Sequence, residues 1–531
     1  MPTLEWIGKD KVVNHHQEVP YRVLECQYSY DEAGQHAEDN GSENMIIHGD
    51  NLEALKALLP RYEGKVKCIY IDPPYNTGNE GWVYNDNVND PKIKRWLGEV
   101  VGKEGEDLSR HDKWLCMMYP RLKLLQRLLA EDGAIFISID DVEFYNLRLI
   151  CNEIFGDHNF IATIIWRKNY APKGTAKHFS EDHDYILVYG KSAEQWIPHK
   201  MPRTEKQNKA YKNPDNDPRG LWRPNNLAAR NFYSKGTYSI TCPSGRVIKG
   251  PPAGSYWRVS EEKFWEMDRD GRIWWGKDGN NVPAPKIFLS EVADGVVPQT
   301  FWSYEEVGHT QDAKKEIKTI FTGETPFDTP KPVRLIERIL QIASDPDSII
   351  LDSFAGSGTT AHAVLNMNKA DGGNRKFILV EMMDYADSIT AERVKRVIDG
   401  YGEGKKAVEG TGGNFSYYEL GPVLLLPNGN LNEEVGPQKI REYVYYMETK
   451  ELLPAEQPTD EPYFMGLCRN TAYYFYYERE SVTTLDHAFL ATVQTKAEGY
   501  TIYADLCAIP QETLRKHNIT FKKIPRDIAR L

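Results

Sequence analysis

The amino-acid sequence predicts an α/β fold: a mostly parallel sheet, interrupted by an inserted lobe and followed by a C-terminal tail of mixed α/β type. Two observations carry that expectation. Short apolar runs that end at or near an acid, NMIIHGD, VKCIYID, AIFISID and SIILDSF, alternate with segments of helical period, as strands buried on both faces alternate with covering helices. Between the third and fourth runs the pattern lapses into a stretch rich in Pro, Gly, Asn and Trp, and then resumes.

Residues 1–43 are polar and read as an N-terminal arm. NMIIHGD is a strand ending at Asp50. NLEALKALLP is a helix, apolar at Leu52, Leu55, Leu58 and Leu59 and stopped by Pro60, and VKCIYID is a buried strand ending at Asp72. Strand, helix and strand at this spacing make a βαβ unit. Residues 76–112 lack periodicity and follow a strand end directly, a place where loops carry function. LCMMYPRLKLLQRLLAEDG is a helix with Gly133 as its stop, AIFISID a strand, VEFYNLRLICNEIF a helix, and FIATIIW and DYILVY further strands. The first part of the sheet domain thus covers 44–189 and the inserted lobe 190–330. KPVRLIERILQIA, SIILDSF, TTAHAVLNMN and KFILVEM complete the sheet over 331–400. The tail is 401–531, and its end, GYTIYADLCAIPQETLRKHNITFKKIP, reads as strand, helix, strand.

The 531 residues are 40% hydrophobic and 27% charged, a globular composition. No apolar run is long enough for a membrane span, and the N-terminus carries charges where a secretory signal needs an apolar core. Seven scattered cysteines form no CxxC and no Cys/His cluster, so no metal site is expected and a reduced cytoplasm fits best. The net charge of −12 argues against a polyanionic partner, but the average conceals an asymmetry. Residues 161–260 hold 17 Lys/Arg against 7 Asp/Glu, a local +10, and the remainder carries −22. A basic segment in an acidic chain fits a localised nucleic-acid contact and fits equally a solvated, loop-rich insert.

Two constellations point to chemistry. Asp72-Pro73-Pro74-Tyr75 stands at the carboxyl end of a strand, where open parallel sheets bind ligands. Consecutive prolines remove two N–H groups and leave carbonyls to accept. With the Asp acceptor and the flat Tyr ring, the set suits a planar exocyclic amine. Phe354, Ala355, Gly356, Ser357, Gly358 and Thr359 form a Gly-rich turn between strand and helix, open to close backbone approach. No GK[ST] follows, so it is not a P-loop. The next strand ends at Glu381, 25 residues past Gly356, placed to accept from ribose hydroxyls. Asp50 either binds an adenine amino group or caps the next helix, or does both. Lys331, in Pro330-Lys331-Pro332, either meets a carboxylate or belongs to a proline-rich helix entry. Asp140-Asp141 reads as capping rather than as a metal site.

On these residues the sequence resembles amino-group DNA methyltransferases. IDPPYNTG and DSFAGSGTTAHAV are similar to their motifs IV and I, and motif IV precedes motif I as in the β class. With HGDNLEALKALL, NPDNDPRGLW, TPKPVRLIERIL and NRKFILVE, the set over 44–400 resembles the modification (Mod) subunit of Type III restriction-modification systems, although such subunits are often longer. The resemblance implies a Rossmann-like S-adenosylmethionine-dependent sheet with an inserted target-recognition lobe. It implies methyl transfer to N6 of an adenine flipped out of double-stranded DNA; the alternative is a stand-alone amino methyltransferase acting on cytosine N4 or RNA. Asp72 and the Pro73 carbonyl would accept from the amine, Pro74 would hold the turn, and Tyr75 would stack on the base. Phe354 to Thr359 would line the cofactor, Glu381 would hold its ribose, Asp50 its adenine and Lys331 its carboxylate. Asn76 and Trp82, beside or within the loop after the motif, and Arg167, Lys168, Arg203, Lys206, Arg219 and Arg223 in the basic segment are the candidate DNA contacts. A homodimer and a Res nuclease-helicase partner are implied by the resemblance alone.

Overall fold

The computed structural model describes residues 3–77, 95, 98–99, 110–172, 174–292, 295–454 and 460–530, without the Lys206 side chain. Trp82 lies outside the described residues, as does most of the loop at 76–112. Two compact units form, Met1–Pro198 with Gln299–Leu531, and His199–Pro298.

The larger unit is built on one eleven-stranded sheet: β1 (Arg22–Asp31), β2 (Gly34–His36), β3 (Met45–His48), β4 (Val66–Ile71), β5 (Leu129–Ile139), β6 (Phe160–Arg167), β7 (His183–Gly190), β8 (Phe301–Trp302), β9 (Ile349–Asp352), β10 (Lys376–Glu381) and β11 (Asn414–Val423). Their order is β8-β6-β7-β5-β4-β9-β10-β3-β11-β1-β2. The six central strands from β5 to β11 are all parallel, and β7 and β1 run antiparallel at the flanks. Helices α1 (Asn51–Tyr62), α2 (Arg110–Leu128), α3 (Phe144–Phe155), α4 (Thr310–Ile320), α5 (Val333–Ala343), α6 (Thr359–Asp371) and α7 (Glu392–Asp399) accompany the strands. Ile47, Ile69, Ile71, Ile135, Ile137, Leu351 and Val380 from the strands pack with Leu55, Leu58, Met118 and Leu125 from α1 and α2 into the main core. The predicted α/β sheet is therefore present. Its carboxyl edge is where β4, β9, β10 and β3 end side by side.

Several expectations change. Residues 1–43 are not an irregular arm. β1 and β2 form an antiparallel hairpin that extends the sheet, and Trp6, Val12 and Val19 are buried in the main core. Glu25 and Gln27 occupy the exposed positions of β1 and disguise the strand. Pro60 does not stop α1, which runs on to Tyr62. Gly133 is not a helix stop: α2 ends at Leu128 and Gly133 lies inside β5. A Cβ there would sit 2.9 Å from the Val66 and Lys67 carbonyls, so its lack of a side chain serves a close strand approach. The inserted unit is narrower than 190–330. β8 pairs with β6, and Ile317, Ile320, Phe321 and Phe327 pack with Ile389 on the larger unit. The 401–531 tail likewise gives β11 to the main sheet. Beyond it, strands Phe464–Cys468, Thr471–Phe475, Gly499–Ala504 and Ile519–Lys523 form a separate sheet whose last three members are parallel.

The smaller unit is built of short strands and the helix Glu261–Arg269 around Leu227, Ile240, Trp257, Phe264 and Trp275. Among the described residues no helix is long and apolar enough to cross a membrane.

Candidate active site

β4 delivers Asp72 to the carboxyl edge and β9 delivers Asp352 beside it, because the two strands run parallel with Cys68 opposite Ile350 and Ile69 opposite Leu351. β10 adds Glu381, which pairs in register with His48 of β3, and Asp50 follows two residues later. Four acids thus stand in sequence along one edge, each at or just after a strand end.

Asp72 is buried, and its Oδ2 is bonded to the Lys331 ammonium. Its Oδ1 accepts no hydrogen bond by distance and angle among the described residues. The Tyr75 hydroxyl is also buried, beside the Asp72 carboxylate, and burial together with the Asp72 charge and a hydrogen bond to Asp72 holds it neutral, far above the usual tyrosine range. The Lys331 ammonium stands 5.2 Å from the Tyr75 ring centroid. Both prolines of the segment were expected to offer carbonyls, but only one does. The Pro74 carbonyl accepts from Trp114 Nε1 at 2.6 Å, whereas the Pro73 carbonyl accepts nothing among the described residues. Asn76 is not a nucleic-acid contact as placed. It is buried with φ 58°, and its amide donates to Glu143 Oε1 at 2.5 Å and to the Arg110 carbonyl at 3.1 Å. It fastens the turn to the starts of α2 and α3.

The turn after β9 is held more completely. Asp352 accepts from Phe354 N at 3.0 Å and from the Thr360 hydroxyl at 2.5 Å, and burial pushes its carboxyl up to about 7. Glu381 is buried and accepts from Gly356 N at 2.8 Å and Met383 N at 3.0 Å. Burial raises its carboxyl and these N–H groups oppose the rise. The Met382 N–H and the Tyr385 hydroxyl also donate to this carboxylate, so with about four lone-pair directions it would take a ribose hydroxyl by sharing with or displacing one of them. Gly356 and Gly358 sit at φ 51° and 80°. Added Cβ atoms there would meet the Phe327 ring at 3.1 Å and the Thr390 carbonyl at 3.0 Å, so both positions need glycine. Ala355 is buried and its N–H donates to the Val380 carbonyl. Phe354 is half-buried against the main core. Behind the turn the fully buried Arg393 guanidinium donates to Ser357 Oγ and Thr359 Oγ1, each at 2.8 Å, and lies 3.2 Å from His362 Nδ1.

Asp50 realises the capping reading: its Oδ1 accepts from Leu52 N at 2.9 Å and Glu53 N at 3.2 Å. It also lines a cavity of about 580 Å³ with His48, Gly49, Leu52 and Met382, within the usual range for small-molecule sites. Asn51 donates to the Ser353 carbonyl, while Asn51 Oδ1 and Ser353 Oγ remain buried and without partners.

A family profile described as DNA methylase matches residues 66–392, more than half of the chain. The chain belongs to the DNA methylase family. The matched span opens at β4 and closes at the start of α7, so it contains both turns described above. The methylase is 35% identical to the Type III restriction-modification enzyme StyLTI Mod subunit of Salmonella typhimurium, over 74% of this chain and 62% of that one. It is 30% identical to the EcoP15I Mod subunit of Escherichia coli, over 75% and 66%. It is 32% identical to the Type II methyltransferase M.KpnI of Klebsiella pneumoniae, over 67% and 84%. The methylase thus spans 62% and 66% of the length of these two Mod subunits.

The cationic residues chosen from the methylase sequence are engaged within their own units. Arg167 lies against Asp182 and the Tyr304 ring, and Lys168 donates to the buried Asp184 at 2.6 Å; both belong to the main sheet rather than to the inserted unit. Arg203 and Arg223 bond the Tyr211 hydroxyl at 3.3 and 3.1 Å. Arg219 grips both oxygens of Asp217 at 2.9 Å and reaches Asp270. As placed, these side chains build structure. Sequence reasoning missed Arg393, Asp184 and Glu143. Asp184 beside the apolar run YILVY and Glu143 between Val142 and Phe144 carried a signal, a charge among apolar residues; Arg393, within ERVKRVID, carried none. Sequence reasoning also missed the exposed run Arg230, Asn231, Phe232, Tyr233, Ser234 and Lys235 of the inserted unit, where Phe232 is 77% exposed.

Proposed function

We propose that this methylase transfers a methyl group from S-adenosylmethionine to N6 of an adenine flipped out of duplex DNA, as the modification and recognition subunit of a Type III restriction-modification system. One observation carries the reading. At the end of β4, a buried carboxylate oxygen of Asp72 and the adjacent Pro73 carbonyl lack partners among the described residues, beside the buried Tyr75 ring. Buried polar atoms are ordinarily paired, and exceptions call for an explanation. Two acceptors and a ring are what an exocyclic amine on a heterocycle requires.

The residues fit the cofactor. Asn51 Oδ1 and Ser353 Oγ are orphaned beside the glycine turn, the turn tolerates no Cβ at two positions, and a cavity lies at the Asp50 end. Asp50 and Met382 would hold the adenine, Glu381 the ribose, and Lys331 with the N-terminus of α6 the carboxylate. The bound cofactor supplies an activated methyl, so the protein has to position the acceptor rather than activate a donor. Asp72 Oδ1 and the Pro73 carbonyl accept the two amine hydrogens. This directs the nitrogen lone pair out of the ring system and stabilises the positive charge that grows on nitrogen. Tyr75, kept neutral, offers its face to the base, and Trp114 fixes the turn through the Pro74 carbonyl.

Aromatic rings interleaved with cations suit nucleic acid, so Arg230, Phe232, Tyr233 and Lys235 join the candidate DNA contacts. A homodimer, a Res partner and a cytoplasmic site, which seven free thiols suit, complete the reading. The test is incubation with labelled cofactor and mixed-sequence duplex, followed by nucleoside mass analysis. N6-methyladenine is expected. N4-methylcytosine would overturn the base assignment, and no methylated nucleoside despite cofactor binding would overturn the DNA acceptor.

A further inference from the structure

Lys331 stands between the two halves of the site. Its ammonium is bonded to Asp72 Oδ2, and the two side chains are only 12% and 10% exposed. This is a buried pair, not a surface one of little consequence. Its backbone is fixed: Pro330 and Pro332 flank it, its carbonyl accepts from Thr359 Oγ1 at 3.4 Å, and the Val333 N–H two residues on donates to Glu316 Oε2 at 3.2 Å. The side chain keeps its four-carbon reach. Lys331 is thus anchored to the glycine turn while its charge is spent on the amine acceptor.

That arrangement conflicts with methyl transfer. A cation on Asp72 weakens the carboxylate as an acceptor, and it places a positive charge beside a nitrogen that becomes positive as it attacks. The conflict disappears if a second anion takes the ammonium. The cofactor carries one, and Thr359 at the N-terminus of α6, where an anion is favoured, is bonded to Lys331 itself.

We propose that Lys331 makes capture of the target amine conditional on the cofactor: its ammonium passes from Asp72 to the cofactor carboxylate, and Asp72 Oδ1 then accepts from the amine with its carboxylate's charge no longer spent on the cation. Lys331 is a positioning residue in this scheme, and binding is ordered, cofactor before amine. The inference rests on the reading given under Proposed function.

The test measures how strongly the enzyme prefers adenine over purine, which lacks the amine, at the methylated position of its mapped duplex. Affinities are compared with no addition, with S-adenosylhomocysteine and with decarboxylated S-adenosylhomocysteine. In the wild type the preference should rise at least about fivefold with S-adenosylhomocysteine and stay near the unliganded value with the decarboxylated compound. In Lys331→Met the preference should no longer respond to the cofactor, and S-adenosylhomocysteine should bind about tenfold more weakly. A wild-type preference equal under all three conditions would overturn the coupling, and this arm needs no variant to fold. If S-adenosylhomocysteine does not bind the wild type at all, the methyl-transfer reading falls with it. If it binds and the preference ignores it, only the coupling falls.

Discussion

The turns after β4 and β9 leave neighbouring parallel strands at the same sheet edge, yet they are finished in opposite ways. After β9 the backbone turn is tied by side chains, although Ser353 Oγ and the neighbouring Asn51 Oδ1 are left over. Asp352 holds Phe354 and Thr360, Glu381 holds Gly356 and Met383, and Arg393 holds Ser357 and Thr359. After β4 an oxygen of Asp72 and the Pro73 carbonyl are left over among the described residues, and no carboxylate among them holds the Pro73-Pro74-Tyr75 backbone as Asp352 and Glu381 hold the other turn. A cradle whose backbone must keep one shape calls for internal bonds. A pocket that must grip a transient guest calls for unpaired groups, and carries the desolvation cost of keeping them. The contrast agrees with the proposal that the β9 turn holds the cofactor and the β4 turn the reacting base.

The largest break in that comparison should come at Asp72. Asp72→Ala removes an acceptor needed only for the amine, and the expected loss of methyl transfer is about 10²–10³-fold or more. Cofactor affinity, read by calorimetry, should move less than about tenfold, because no bond of the β9 turn involves Asp72. Near-native turnover in this variant would end the acceptor role.

How much of this contrast was legible differs between the two turns. The residues of both stand plainly in the sequence, because strands that end in an acid and turns rich in Pro or Gly are local patterns. What finishes each turn comes from far along the chain. Arg393 lies 34 residues beyond Thr359 and reaches it through a buried guanidinium. Trp114 bonds Pro74 across 40 positions, and Lys331 reaches Asp72 across 259. Such pairings follow from sheet order, which places β9 beside β4 although the inserted unit separates them in the chain. The basic residues were misleading for a related reason: local charge counts do not reveal that Arg219 faces Asp217, or that Lys168 faces Asp184.

Arg393 sharpens the comparison at the next level of effect. Arg393→Met leaves the Ser357 and Thr359 hydroxyls without their donor and takes a positive charge from beside Glu316. The expected cost is about 2–4 kcal/mol of stability, read as a lowered Tm, with cofactor affinity reduced about tenfold. The adenine preference measured at saturating cofactor should be unchanged, since the β4 turn is untouched. Unchanged Tm and affinity would mean that the β9 turn does not depend on its buried network.

The smallest effect is a slope. Burial lifts the Asp352 carboxyl to about 7 from the ordinary 3.8. Between those values the folded chain keeps a proton that the unfolded chain has lost. The folded state therefore binds more protons, and stability must fall as pH rises from about 4 to about 7, by at most about 1.4 kcal/mol per pH unit from this group. Above that window the residual cost is constant. Asp352→Asn keeps an acceptor for the Phe354 N–H and has no proton to lose, so its stability curve should lack this part of the fall. Denaturant midpoints of wild type and Asp352→Asn at pH 5 and pH 7 decide it. If the difference between the two proteins is the same at both values, Asp352 is ionised throughout, and the β9 turn holds its acid as a charge rather than as a neutral hydrogen-bonding group.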